Sequence, residues 1–153
     1  IDDNDAAKTV ELSGFLSEYT ANVLSCIYDE NDIVIRCIGD LDSGFTLKIK
    51  PLSFIMMVDN LIGNAIKANA TTLDIIIDDS SPDMYSVTFK DNGSGLSKDI
   101  SDVNQLFEFG VTTTNGSGLG LFYAKKHIAS LKGSISIRNN KDRGVSVTLI
   151  WKK

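Results

Sequence analysis

One α+β domain with a mixed, mostly antiparallel sheet is the fold class this chain predicts, and three observations predict it. β-rich runs recur in pairs separated by turn-forming residues, helix-period stretches lie around and between the pairs, and nothing in the 153 residues reads as a linker or an internal repeat. That length suits a single domain with a sizeable core. Hydrophobic content of 42% and charged content of 23% are ordinary for a soluble globular protein.

Residues 1–8 are polar and acidic and read as a frayed terminus or the end of a preceding element. From Val10 to Leu24, the residues Leu12, Phe15, Leu16, Tyr19 and Val23 recur at near-helical spacing and predict an amphipathic helix. Ile33 to Ile38 and Phe45 to Ile49 are β-rich, and the Gly39–Gly44 segment between them has turn chemistry, which predicts a hairpin. Pro51 then suits the first turn of a second helix, running to about Ala68. On it Phe54, Ile55, Val58, Leu61, Ile62, Ala65 and Ile66 share one arc, while Asn60, Asn64 and Lys67 share the other. Leu73 to Ile77 and Tyr85 to Phe89 predict two more strands around a polar turn. A short helix and a long irregular segment fill Leu96 to Thr114, and long loops in compact domains often bind ligands. A third helix spans Leu119 to Lys132, and Ser134–Arg138 with Val145–Trp151 predict a closing hairpin.

Composition excludes several function classes. The net charge of −5 argues against a broad nucleic-acid surface. No run approaches the roughly 20 apolar residues a bilayer requires, and no signal peptide opens the chain. Cys26 and Cys37 have neither metal-ligand spacing nor the density of a disulfide scaffold, so both read as reduced. The chain opens on Ile1 rather than Met, as an excised piece of a longer protein would.

Three stretches carry candidate chemistry. The run Gly116-Ser117-Gly118-Leu119-Gly120-Leu121 places three alternate glycines before a helix, where backbone N–H groups can approach a phosphate. The Asn60, Asn64 and Lys67 stripe is either a solvated helix face or a site, since an amide oxygen suits Mg²⁺ and a lysine suits a phosphate. Asp91-Asn92-Gly93-Ser94-Gly95 follows a strand; it is either a plain turn or a carboxylate poised to accept from a ligand donor. A P-loop is excluded because Leu121-Phe122 follows Gly120, and a dinucleotide fingerprint is excluded because Leu121 stands where its third glycine belongs.

Taken in order, the stretches resemble the GHKL ATP-binding fold, specifically the catalytic domain of bacterial sensor histidine kinases. Asp59 to Lys67 is similar to its N box, Asp91 to Gly95 to its first glycine box, Leu106-Phe107-Glu108-Phe109-Gly110 to its phenylalanine box, and Gly116 to Leu121 to its second glycine box. The resemblance covers roughly Val10 to Trp151 and implies a two-layer α+β sandwich with helices packed on one face of the sheet. Residues 10–153 would then be the ATP-binding catalytic domain, and residues 1–9 the end of a preceding element or disordered.

The same resemblance implies residue roles. Asp91 accepts from the adenine amino group, Asn64 coordinates Mg²⁺, and Asn60 and Lys67 serve catalysis near the terminal phosphate of ATP. Gly93, Gly95, Phe107, Thr112, Thr113, Gly116, Ser117, Gly118, Leu119, Gly120 and Leu121 complete the binding of ATP or ADP. The hydrolysing relatives carry glutamate at the position of Asn60, and an amide has no useful basicity, which favours phosphoryl transfer over hydrolysis. His127 is followed by Ile128-Ala129 rather than an acidic residue, so its role reads as structural and the acceptor histidine lies on a dimerisation domain outside this chain. The implied partners are that dimerisation domain and a response regulator, with no nucleic acid and no membrane contact by this domain. The implied location is cytoplasmic, whether or not the parent is membrane-anchored. Two alternatives stay open: a degenerate nucleotide- or partner-binding module, and a stand-alone ATPase.

Overall fold

The computed structural model describes residues 5–25, 33–96, 102–108 and 120–153. Among these residues five strands make the main sheet, in the order β2 (Val34–Gly39), β4 (Thr72–Asp78), β5 (Met84–Asp91), β7 (Val145–Lys152), β6 (Ser134–Asn139). Among the described residues only the β2–β4 pairing is parallel; β4–β5, β5–β7 and β6–β7 are antiparallel. A separate two-stranded ribbon pairs β1 (Lys8–Glu11) with β3 (Thr46–Ile49). Helices α1 (Leu12–Tyr19), α2 (Pro51–Lys67) and α3 (Gly120–Ser130) belong to the second layer, giving the α+β two-layer sandwich.

The layer is built by alternation. Leu73, Ile75 and Ile77 on β4 and Tyr85, Val87 and Phe89 on β5 are buried, while the intervening residues face away. Against them α2 buries Phe54, Met57, Val58, Leu61, Ile62 and Ala65. Each such side chain contributes roughly 1.5–3 kcal/mol on burial. Met57 joins the core from outside the arc read off the sequence, whereas Ile55 is only half-buried and Ile66 is exposed.

The helix ends explain why α2 spans these residues. Pro51 occupies the first turn, but Lys50 at the N-cap makes no side-chain cap. Asp5 supplies it from a distance, its carboxylate accepting from the amides of Leu52 at 2.8 Å and Ser53 at 3.1 Å. Hydrogen bonding to the Ser53 hydroxyl holds the Asp5 carboxyl below its usual range. At the other end Asn69, at φ +60°, turns the chain, and the Ala68 amide donates to Asn64 O at 3.1 Å.

Two expectations fail here. Residues 8–11 are a strand, so the first helix starts at Leu12 rather than Val10; past Tyr19 it continues as a π-turn, Thr20–Leu24. The hairpin expected from Ile33–Ile38 and Phe45–Ile49 does not form. Gly39, at φ +102°, presses its backbone against Ile77, where a Cβ would lie 2.2 Å from the Ile77 carbonyl oxygen. Asp40 N then donates to Ile77 O at 2.9 Å, which ties the end of β2 to β4, and Leu12 N donates to Phe45 O at 2.9 Å, which commits β3 to β1. The hairpins β4–β5 and β6–β7 form as expected.

Cys37 is a free, half-buried thiol whose pKa burial pushes up to about 11; Cys26 lies outside the described residues. Among the described residues no helix is long and apolar enough to cross a membrane.

Candidate functional site

Residues i, i+4 and i+7 of a helix lie on one face, so α2 stacks Asn60, Asn64 and Lys67 opposite its core stripe. Asn60 and Lys67 are exposed and Asn64 is half-buried. Among the described residues none of the three side chains makes a hydrogen bond or ion pair. Such a stripe is free to meet a ligand. The first residue of α3 closes on it: a Cβ on Gly120 would lie 3.7 Å from Asn60 Cβ.

Asp91, the last residue of β5, is in the opposite condition. It shares its parity with Tyr85, Val87 and Phe89, so its side chain is on the helix-covered side. Its Oδ1 accepts from the amides of Gly93 at 2.9 Å and Val145 at 3.1 Å. Among the described residues Oδ2 accepts nothing, leaving one carboxylate oxygen for a ligand donor. The loop beyond is stitched to the end of α2, with Ser94 N donating to Ala68 O at 2.9 Å. Asn92 Oδ1 accepts from the amides of Thr71 and Thr72, fixing the start of β4.

The turn between β6 and β7 clamps this loop, and nothing in the sequence reading assigned it a role. Asn140 Nδ2 donates to Asp91 O at 2.9 Å, Arg143 Nε to Gly93 O at 3.0 Å, and Asn139 Oδ1 accepts from Leu96 N at 2.8 Å. Gly144 has φ +93°, and a Cβ there would come within 2.0 Å of Asp91 O. The available signal was the pair Asn139-Asn140 followed by Gly144, residue types that turn the chain and bond to backbone.

Other expected site residues fall in three groups. Phe107, closing a 3₁₀ turn (Val103–Phe107), is 6% exposed, and Lys125 Nζ of α3 lies 5.5 Å from its ring centroid. Gly95 is against the clamp, its absent Cβ 3.0 Å from Asn139 Oδ1, and Leu121 is packed on the core. Thr112, Thr113, Gly116, Ser117, Gly118 and Leu119 lie outside the described residues. What the structure brings together is therefore the α2 stripe, the Asp91 loop at the end of that helix, and the start of α3.

His127 faces Phe54, ring centroids 6.0 Å apart, inside the α2–α3 packing. Burial lowers its pKa below the ordinary value of 6.5, with Asp5 pulling the other way. Its Nε2 is buried and unpartnered among the described residues. Beside it runs a groove of about 430 Å³ along α2 and α3, lined by Met56, Met57, Asn60 and Tyr123, with Met56 and Tyr123 well exposed.

Comparisons with known proteins bear on the family and the fold. A sequence profile described as histidine kinase-, DNA gyrase B-, and HSP90-like ATPase matches residues 49–153. The sensor protein EvgS of Escherichia coli O157:H7 is 29% identical over 145 residues, covering 88% of this chain and 12% of EvgS. The histidine protein kinase SaeS of Staphylococcus epidermidis is 34% identical over 107 residues, covering 63% of this chain and 30% of SaeS. The chain thus spans under a third of either relative. Among solved structures, the catalytic domain of histidine kinase ThkA superposes with a TM-score of 0.75 at 22% identity, over 96% of this chain and 97% of that one. Full-length ShkA in complex with AMPPNP superposes with a TM-score of 0.74 at 21% identity, over 95% of this chain and 30% of that one.

Proposed function

This chain belongs to the histidine kinase-, DNA gyrase B-, and HSP90-like ATPase family, and we propose that it is the ATP-binding catalytic domain of a two-component sensor histidine kinase. It would hold Mg-ATP for transfer of the γ-phosphoryl group to a histidine on a dimerisation domain outside this chain. The observation that carries the proposal is the pairing of a carboxylate oxygen, Asp91 Oδ2, with an amide stripe, Asn60 and Asn64, on the helix that the Asp91 loop abuts, none of them hydrogen-bonded through these side-chain groups among the described residues.

Each residue then has a task its environment supports. Asp91 accepts from the adenine amino group, and selectivity arises because a base lacking that donor leaves the carboxylate oxygen unpaired. Asn64 offers an amide oxygen with no protein partner among the described residues, a donor type that fits Mg²⁺, an ion that takes few protein ligands and keeps several waters. Bound there, Mg²⁺ would neutralise charge on the phosphates. Asn60 and Lys67 orient and balance the terminal phosphate, Lys67 as a point charge. Gly120 brings the N-terminus of α3 beside Asn60, where its amides favour negative charge. Thr112, Thr113, Gly116, Ser117, Gly118 and Leu119 are proposed to cover the phosphates, and Phe107 to seat α3 through Lys125.

The acceptor imidazole nitrogen attacks the γ-phosphorus as the bond to the bridging oxygen breaks, and ADP leaves. Asn60, an amide, cannot take a proton from water as a glutamate would, so the bound nucleotide waits for that external nucleophile. The groove at Met56 and Tyr123 borders Asn60 and is apolar enough to seat the acceptor's helix. The domain would work in the cytoplasm and serve a response regulator downstream. Calorimetric titration of ADP tests the reading: binding is expected, strengthened by Mg²⁺ and largely removed in Asp91→Ala. No binding by the folded wild-type chain would leave a partner-binding module as the better reading. A parent protein that binds ATP but labels no histidine would sink the kinase assignment alone.

A further inference from the structure

A second concave region lies on the opposite side of the sheet, the side that no helix covers among the described residues. The registers align Lys90 of β5 and Arg138 of β6 with the same residue, Ser146 of β7, so two cations flank a small side chain two strands apart, about 10 Å. Ser146 is buried and its hydroxyl donates to Asn140, leaving a floor without a charge. The β6–β7 turn overhangs this floor and adds Lys141 and Arg143. The resulting pocket has a volume of about 520 Å³, within the range of small-molecule sites.

Its charge is unbalanced. Asp74 in the same row is taken by Arg36, through bonds of 2.9 and 3.0 Å. Of the other two carboxylates in the lining, Asp91 shares the parity of the helix-covered side and Asp142 remains, against four cations. Among the described residues Lys90, Arg138 and Lys141 make no side-chain hydrogen bond or ion pair. A local excess of unpaired cations in a chain of net charge −5 is a place where an anion relieves repulsion.

We propose that this pocket is a binding site for a small phosphate-bearing ligand, distinct from the nucleotide site yet built on the same loop. Arg143 uses Nε to hold Gly93 O at 3.0 Å, which leaves the other edge of its guanidinium for the ligand. Asn140 joins the turn to the Asp91 carbonyl at 2.9 Å and to Arg143 O at 3.1 Å. An anion that orders this turn therefore orders the Asp91 loop, and the two sites bind cooperatively, with equal effect in either direction. That cooperativity, though not the anion site itself, rests on the nucleotide reading above.

Amide NMR of the chain titrated with pyrophosphate, without and with saturating ADP, tests this. Expected are saturable shifts centred on residues 90, 138 and 141–145 in both titrations, and an ADP affinity several-fold higher with pyrophosphate present. The double variant Lys90→Gln/Arg138→Gln should weaken pyrophosphate at least fivefold and leave ADP affinity in its absence unchanged. No shifts at these residues, an unaltered response in the double variant, or an equal response to sodium sulfate at matched ionic strength would overturn the site. A stronger response to an oligoglutamate peptide than to pyrophosphate would also overturn it, in favour of a protein-docking surface. Retained pyrophosphate shifts in a chain that binds no ADP would discard the cooperativity and the nucleotide reading while the anion site stands.

Discussion

Asp91 and Asn60 lie at two ends of one candidate site, yet the protein treats them differently. Asp91 is held by the amides of Gly93 and Val145, its backbone by Asn140, and its loop by Arg143 and Ala68. The Asn60 and Asn64 side chains make no hydrogen bond among the described residues, although the helix beneath them fixes their backbone. On the proposed function, the difference separates selectivity, at Asp91, from catalysis, on α2. On that reading the base end is held through the β6–β7 turn, so discrimination there depends on how firmly that turn grips the Asp91 loop. At the proposed phosphate end, helical backbone presents side chains with no hydrogen bond among the described residues, and the ligand with its ion would complete the geometry.

The largest expected effect breaks the base end without disturbing the scaffold. Asp91→Asn keeps an Oδ1 acceptor for Gly93 and Val145 but turns an NH₂ toward the ligand's donor. ADP affinity should fall about a hundredfold, about 3 kcal/mol, with thermal stability nearly unchanged. A variant that binds ADP normally would show that Oδ2 selects nothing. Next is Gly144→Ala, which forces a Cβ against the Asp91 carbonyl at positive φ. Unfolding free energy should drop about 1–3 kcal/mol, and ADP affinity should drop with it. Unchanged urea denaturation would mean that the clamp is not a clamp.

The phosphate end should respond in the reverse way. Asn64→Ala removes a side chain that makes no hydrogen bond among the described residues, so stability should hold within about 0.5 kcal/mol. Its ADP titration should lose the Mg²⁺ enhancement while keeping the Mg²⁺-free affinity. Loss of Mg²⁺-free binding instead would put Asn64 in the base pocket.

The smallest effect concerns His127 in the helix pair that carries Asn60. Burial lowers its folded-state pKa below the 6.5 of an exposed histidine, so the unfolded chain binds the extra proton. Stability from this residue is complete above pH 6.5 and is lost as pH falls from there toward the folded value. Thermal unfolding between pH 7.5 and 5.5 should show a decline that His127→Leu flattens. A steeper decline in the variant would reverse the assignment.

Local rules made much of this legible. Pro51 and the apolar stripe of α2 placed that helix to within a residue of its observed end, and the polar runs after Ile77 and Arg138 announced two hairpins. The same stripe spacing put Asn60, Asn64 and Lys67 on one face, because helical period alone decides that. The turn at Gly39–Gly44 misled because a glycine required by a close approach to a distant strand is written like a glycine required by a hairpin.

Sequence alone therefore determined most of the elements, though not β1, together with the polar face of α2 and the resemblance carried by the ordered boxes, since each depends on residues within a few positions of one another. Only the tertiary structure decided that β2 pairs in parallel with β4, that Asp5 caps a helix 47 residues away, and that the β6–β7 turn grips Asp91. Those depend on which backbone donors and acceptors remain unpaired once the core has closed, and every buried one must find a partner wherever the chain supplies it.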